Sequence, residues 1–375
     1  MTLKKYSLAL LLTWLIGWLG AEPTRADGLK QEFSKKINRE FGISSTGTTA
    51  IYNKYGNVKV NTWANRSVKM EITIVVNAAD QRAADRVFER IQVNFLHTAD
   101  YVRAETVIEP ERSYSSGVGG FKAFDFKIHY DVWLPADNQL DLKNRYGDAL
   151  VSNLKGKLMA EIRYGNLRGE NLSGDADLSI SYGKASFNQV RSLTGYINYS
   201  DLLAERANDV NLDTRYSDVR ITQASQVRLT SKYDKLNFGE VEALRLQTRY
   251  TDLRGRQIGS LFLTAQYTDS RIERLTETLD ADLNYGELDI RALGRQFSEA
   301  RVQGKYTDVK IAVEPGASFR LDAEGRQTDV QVPHLSRSMY RETIGGQVRV
   351  SGFAGDANAP RVITARLQYG DFILK

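Results

Sequence analysis

The side chains that could do chemistry in this chain come in rows. A tyrosine followed by a small residue returns at Tyr146, Tyr164, Tyr182, Tyr199, Tyr216, Tyr233, Tyr250, Tyr267, Tyr285, Tyr306 and Tyr369. Gln327 stands for one copy, and Tyr55 lies well upstream. Successive members from Tyr146 to Gln327 are 17 to 21 residues apart, and the last interval is 42, twice 21. Two residues after the tyrosine, nine of the thirteen copies are acidic: Asp148, Asp201, Asp218, Asp252, Asp269, Glu287, Asp308, Asp329 and Asp371. Immediately before it, eight are basic: Lys54, Arg145, Arg163, Arg215, Lys232, Arg249, Lys305 and Arg326. A second, partial basic row falls four residues after it, at Lys59, Arg168, Arg220, Arg254, Arg271 and Lys310.

Each row has a chemical and a structural reading. Guanidinium groups in a line can chelate the oxygens of an anionic polymer such as polysaccharide or lipopolysaccharide phosphate. Arg145, Arg163, Arg215, Lys232, Arg249, Lys305 and Arg326 are the candidate track for one. The tyrosines are either a sugar-stacking platform or a ladder of rings stacked on one another, with hydroxyls at the edge. The carboxylates could form a Ca²⁺ ladder, but the glycine-rich nonapeptide of calcium-binding β-rolls is missing. They also suit turns, where they bond backbone N–H groups, and flanking cations offset their mutual repulsion. Hydrolytic chemistry needs two carboxylates, or an acid and a metal, around a cleft. Here every candidate carboxylate belongs to a repeating row. The chain has no Cys, and its three His (His97, His129, His334) lie in unrelated contexts. Thiol nucleophiles, Cys-ligated metals, triads and His-rich metal sites are therefore disfavoured. No catalytic residue, metal ligand or cofactor is assigned, and the chain is read as not an enzyme.

The elements that must position these rows follow from the apolar pattern. Three residues after the tyrosine come Val58, Ala149, Leu167, Ala185, Leu202, Val219, Leu236, Leu253, Leu288, Val309, Val330 and Phe372, with Ser270 as the exception. Five after it come Val60, Val151, Phe187, Ala204, Ile221, Phe238, Ile272, Ile290, Ile311, Val332 and Leu374, with Gly169 and Gly255 as exceptions. Alternation continues before the tyrosine, as in Leu244, Leu246, Thr248, Tyr250. Period two means strands with one buried face, and the tyrosine's parity places it at a core-facing corner. A unit this short cannot bury its apolar face alone, so the units stack as coils of an all-β, single-stack β-solenoid, ~4.8 Å apart. About twelve intervals give a rod of roughly 60 Å. The turn of each coil is expected at the small–acidic pair. An outer-membrane barrel would need longer tilted strands with an apolar outer face, and a propeller a longer period.

Three segments are distinguished: 1–26, 27–135 and 136–375. The first has Lys4 and Lys5, an apolar run from Leu8 to Leu19, and small residues at Ala21 and Ala26. That is the layout of a secretory signal peptide cleaved after one of those alanines; the run is too short to span a bilayer. Removing Lys4, Lys5, Arg25 and Glu22 from 51 basic and 46 acidic residues leaves 48 and 45, a net charge of +3. Nucleic acid is a poor partner for so small an imbalance. The second segment reads as an N-terminal α+β cap. It holds the first coil at Tyr55, a strand Val68–Val76, a helix Ala78–Ile91 and strands near Tyr101–Ile108 and Phe126–Leu134, with a loop at Ser113–Gly120. The third is the solenoid. Ser336–Gly346, inside the double-length interval, is the expected excursion from the rod.

A signal peptide, an early Tyr55-Gly-Asn-Val-Lys-Val coil ending in Trp63, a β-α-β segment and a train of Tyr-[Gly/Ser/Thr]-Asp-φ-x-φ repeats resemble one known family across the mature chain. That family is the "putative adhesin" or head-GIN-like domain of Gram-negative envelope proteins, catalogued without a known function. The resemblance implies an exported, non-catalytic β-solenoid of the cell envelope, at the surface or in the periplasm, and carries over no binding residues. The leading expectation is an adhesin-like rod, with an envelope protein or an anionic polysaccharide as partner. The alternative is a periplasmic scaffold or sensor that contacts another envelope protein through its cap or free end.

Overall fold

The structure is a computed structural model that describes residues 30–110, 126–332 and 339–375. The signal segment, the Ser113–Gly120 loop and residues 336–338 of the expected excursion lie outside these residues. Strands dominate, and they join in one sheet of parallel coils. Lys184–Asn198, Asp201–Arg215, Asp218–Lys232 and Lys235–Arg249 pair parallel in strict order, each residue over its equivalent one coil away. This is the expected β-solenoid.

One coil shows how sequence becomes cross-section. In Asp201–Arg215 the buried residues are Leu202, Ala204, Ala207, Val210, Leu212 and Thr214, and Ser217 follows. Steps of two mark straight strand, where alternate side chains point inward. Steps of three, with two outward residues side by side, mark the corners. The step from Thr214 to Ser217 spans Tyr216, so the turn lies at the tyrosine and the small residue after it, one position earlier than expected. Longer coils insert their extra residues at a corner. Between Tyr285 and Tyr306 a turn closes from the Phe297 N–H to the Gly294 carbonyl, and Phe297 is fully buried there.

The inward rows form one continuous apolar core from the cap to the last coil. The two glycine exceptions have packing reasons. A Cβ on Gly169 would stand 2.5 Å from the Phe187 ring, and one on Gly255 would stand 2.8 Å from Ile272 Cδ1. A large side chain on the next coil fills the place each glycine leaves. Ser270 is as buried as the rest of its row.

At the N-terminal end, Thr48–Lys54 and Val58–Trp63 form the first coil, directly against the Tyr146 coil. Beyond it the direction reverses. Phe126–Pro135 pairs antiparallel with Ser67–Ala78, which pairs antiparallel with Gln31–Gly42. Ile91–His97 likewise turns back on Tyr101–Ile108. The helix is shorter than expected, Gln81–Arg90: the Asp80 carboxylate accepts the Ala83 N–H at 2.7 Å and caps it, and Ile91 already belongs to the next strand.

At the C-terminal end the order of coils in space departs from their order along the chain. Val362–Gln368 and Phe372–Leu374 lie between the Tyr306 coil and the Gln327 coil, pairing parallel with both. The last segment of the chain is therefore the penultimate coil in space. The Gln327 coil lies outside it, and the hairpin Tyr340–Ile344 with Gln347–Ala354 folds antiparallel onto Phe319–Arg326. The 42-residue interval is an excursion out to this hairpin and a return.

Replacing fully buried Ile272 by Asp removes its apolar packing and puts a carboxylate in the core, and should cost at least ~3 kcal/mol. Ile272→Val should cost about 1 kcal/mol. Thermal and urea unfolding measure both, and an unchanged midpoint for the Asp variant would refute this register.

Candidate binding surface

Every tyrosine of the series, and Gln327 with them, has a left-handed backbone, with φ between 49° and 61°. That conformation is uncommon for a bulky residue and costs roughly 1–2 kcal/mol. It also breaks the strand's parity: Thr214 points in, Arg215 out, Tyr216 out again and Ser217 in. The core-facing placement expected from alternation is thus corrected. Ten rings from Tyr146 to Tyr306 are 38–50% exposed.

The rings form one unbroken stack. From Tyr55 through Tyr146 and on to Tyr306 and Tyr369, neighbouring centroids are 4.8–5.2 Å apart and the planes within 11° of parallel. Offset stacking contributes ~0.5–1.5 kcal/mol per pair beyond area burial, and the two together offset the backbone strain. Phe126 closes the N-terminal end edge-on against Tyr55, at 5.6 Å and 78°. Because each face is covered by the next ring, no inner rung offers a free face for a sugar. What reaches solvent is a ridge of ring edges and phenol hydroxyls.

Two turn chemistries hold this ridge. Where glycine follows the tyrosine, backbones of successive coils touch: a Cβ on Gly165 would stand 2.0 Å from the Gly147 carbonyl oxygen. There the residue two after the tyrosine ties coils together. Asn57 Oδ1 accepts the Asp148 N–H at 3.0 Å, and Asp148 Oδ1 accepts the Asn166 N–H at 2.8 Å. In other coils Ser or Thr takes the glycine position, and its hydroxyl donates to the carbonyl two residues back: Ser217 to Arg215 at 2.7 Å, Thr251 to Arg249 at 3.2 Å. Asp234 occupies the same inward position and is buried. Its carboxylate accepts the Thr214 and Ser231 hydroxyls at 2.6 and 2.7 Å, and the Ser217 and Lys232 N–H groups at 2.8 and 3.0 Å. Burial pushes its pKa above the ordinary carboxylate value, and these four hydrogen bonds pull the other way.

The charged rows flank the ridge. Register puts the residues before the tyrosines side by side as Lys54, Arg145, Arg163, Ser181, Asn198, Arg215, Lys232, Arg249 and Gln266. Asn284, Lys305, Gln368 and Arg326 continue the row. The seven candidate cations therefore share one flank, as two triplets counting Lys54 and two isolated members, with neutral side chains between. Lys232, Arg249 and Lys305 lie 5.2–5.5 Å from the ring that follows each. Arg163 pairs with Glu161 at 3.3 Å. Among the described residues Arg145, Arg215, Lys232, Arg249, Lys305 and Arg326 enter no ion pair. The acidic row lies on the opposite flank of the turn. Alternation gave no signal for the tyrosine flip or for Asp234, because the inward residue after each tyrosine is small or polar and looks like loop.

A recess of about 760 Å³ lies where the C-terminal hairpin overhangs the last coils. On its wall Arg349 is held by Glu324, and Arg366 by Glu324 and Asp322. Among the described residues no group of three or more His, Cys, Asp or Glu could hold a metal ion, and no helix is long and apolar enough to cross a membrane.

Fold and surface together define a class, the β-solenoid rods that carry an exposed aromatic ladder. No family model matches the chain, and neither does any curated protein. Among solved structures it is similar to a "putative cell adhesion protein" of Clostridium sporogenes: 8% identity, 92% of this chain and 99% of that one covered, TM-score 0.20. A "putative adhesin" of Bacteroides fragilis gives 13%, 91% and 97%, and 0.23. A "putative lipid binding protein" of Parabacteroides distasonis gives 11%, 74% and 93%, and 0.19. Scores this low establish no common architecture.

Tyr216→Phe should leave stability within ~0.5 kcal/mol, because the ring keeps both stacking partners. Tyr216→Val, which loses the stack and is β-branched at positive φ, should cost ~2–4 kcal/mol. Urea unfolding distinguishes them, and equal effects would refute the strained-stack account. For Asp234, a raised folded-state pKa means that stability falls as pH rises from the unfolded value through the folded one. Asp234→Ser should remove that fall, so the variant gains on the parent as pH climbs from the ordinary carboxylate pKa toward neutrality. Melting curves across that range check the sign.

Proposed function

We propose that this protein is an exported, non-catalytic element of the cell envelope, an adhesin-like rod that binds or braces through its repeating surface. The observation that carries this reading is the ridge itself. Twelve stacked tyrosines between two charged rows present the same group at every coil but that of Gln327, and such a lattice suits an extended partner. A catalytic centre concentrates different groups at one point. The signal-like segment at 1–26 supports export, and resemblance to the head-GIN-like family supports the envelope.

A second reading, a periplasmic scaffold or sensor, is favoured by the ends of the molecule. Among the described residues Gln31–Gly42 pairs only with Ser67–Ala78, and Tyr340–Ile344 only with Gln347–Ala354. Each leaves one strand edge open, which is a template for another chain.

Protease shaving of intact and of lysed cells separates the two readings. Loss of the protein from intact cells is expected for the adhesin-like rod. Protection until the outer membrane is breached would assign it to the periplasm. Recovery from the cytosol with residues 1–26 still attached would overturn both.

A further inference from the structure

The tyrosine ridge exposes more aromatic surface than a soluble monomer ordinarily does. At 38–50% exposure, each rung leaves roughly 100 Å² uncovered with its hydroxyl and backbone included, and ten rungs leave roughly 1,000 Å², more than half of it ring. The largest apolar patch on a typical monomer is ~300–600 Å², whereas each side of a stable interface buries ~800 Å². The stripe is continuous and rimmed by charge: cations lie on one flank, and on the other the carboxylates stand nearest the rings with the second basic row behind them, where Arg254 pairs with Asp252 at 3.3 Å and Lys310 with Glu287 at 2.8 Å.

That rim selects the occupant. A polyanion laid along the ridge would satisfy the cations and meet the carboxylates; a polycation would do the reverse. A partner must carry both signs, on opposite sides, with the same repeat. We propose that the partner is a second copy of this chain, and that two rods lie ridge to ridge, parallel and in register, about a two-fold axis along the rod. Under that operation the residue before each tyrosine faces the residue two after the same tyrosine of the partner. Arg145 meets Asp148, Arg215 meets Asp218, Arg249 meets Asp252, Lys305 meets Asp308 and Arg326 meets Asp329. Only the Tyr233 rung sets two cations together, Lys232 and Lys235. A two-fold axis across the rods would make them antiparallel and set cation row against cation row. The parallel pair is isologous and closes on itself; among the described residues the cations it uses enter no ion pair, while Asp252 and Asp329 would be shared with Arg254 and Arg341 of their own chain.

The test is oligomeric state, which does not depend on where the protein resides. In sedimentation velocity the mature chain should be a dimer at micromolar concentration. Arg215→Glu with Arg249→Glu should weaken self-association at least tenfold, and so should Asp218→Arg with Asp252→Arg. Circular dichroism checks that both variants fold. Mixed one to one, the two variants should form a heterodimer, because one then carries negative charge on both flanks and the other positive. Since the chain has no Cys, Tyr164→Cys places a single thiol near one end of the ladder. It should oxidise to a disulfide dimer only if the rods are parallel. A parent that stays monomeric, a dimer indifferent to the charge reversals, or failure of the mixed variants to pair would overturn the proposal. A monomer retained on immobilised anionic polysaccharide, with retention lost in the Arg variant, would also overturn it and assign the ridge to a polyanion.

Discussion

The structure depends on the backbone hydrogen bonds that run parallel to the rod axis and hold each coil one strand spacing from the next. A coil of 17 to 21 residues has edges on both sides and no core of its own. Its N–H and C=O groups are satisfied only when another coil lies in register above and below. Once that spacing is imposed, every side chain must stack on its equivalent. Like lies on like: Leu193 on Val210 on Val227 inside, and Tyr199 on Tyr216 on Tyr233 outside.

Like-on-like stacking favours apolar and aromatic rows and penalises charged ones. The apolar rows vary little, and where one coil carries glycine its neighbour supplies the volume, as Phe187 does over Gly169. The cationic row is broken by Ser181, Asn198, Gln266, Asn284 and Gln368, which limits contiguous like charge to three. The acidic row tolerates its repulsion partly because its oxygens bond the next coil's N–H groups, as Asp148 does to Asn166 and Asp269 to Glu287. Among the described residues Asp234 is the one carboxylate placed inside, and it persists on four hydrogen bonds. The ends have a different problem, because their last edges have no successor. Antiparallel strands answer it at both, and at the C-terminal end the chain returns to place Val362–Gln368 and Phe372–Leu374 between the Tyr306 and Gln327 coils. The ladder stops there with Gln327, outside Tyr369, where no further tyrosine covers it.

A surface built this way repeats one feature many times and concentrates nothing at a single point. The proposed extended contact rests on that repetition. Stacked faces also decide the kind of contact. With the faces used within the rod, only edges, hydroxyls and flanking charges remain for a partner.

The sequence by itself determined the solenoid, its period, the inward rows three and five residues after each tyrosine, and the existence of the tyrosine ladder. All of these follow from local alternation repeated at a fixed interval, and a repeat turns local pattern directly into neighbours in space. The direction in which the tyrosines face was decided only by the tertiary structure. Their parity with Leu246 and Thr248 points inward, but a left-handed residue reverses it, and that strain is sustained by stacking on coils 17 or more residues away. Coil order at the C-terminal end was also beyond local pattern. Leu367 to Leu374 has the signature of any other coil, and only pairing with Val309–Ile311 on one side and Val330–Gln331 on the other shows that it lies between them. Sequence distance along a repeat gives the spacing of coils but not which edge a returning strand will fill, because every coil edge offers the same hydrogen bonds.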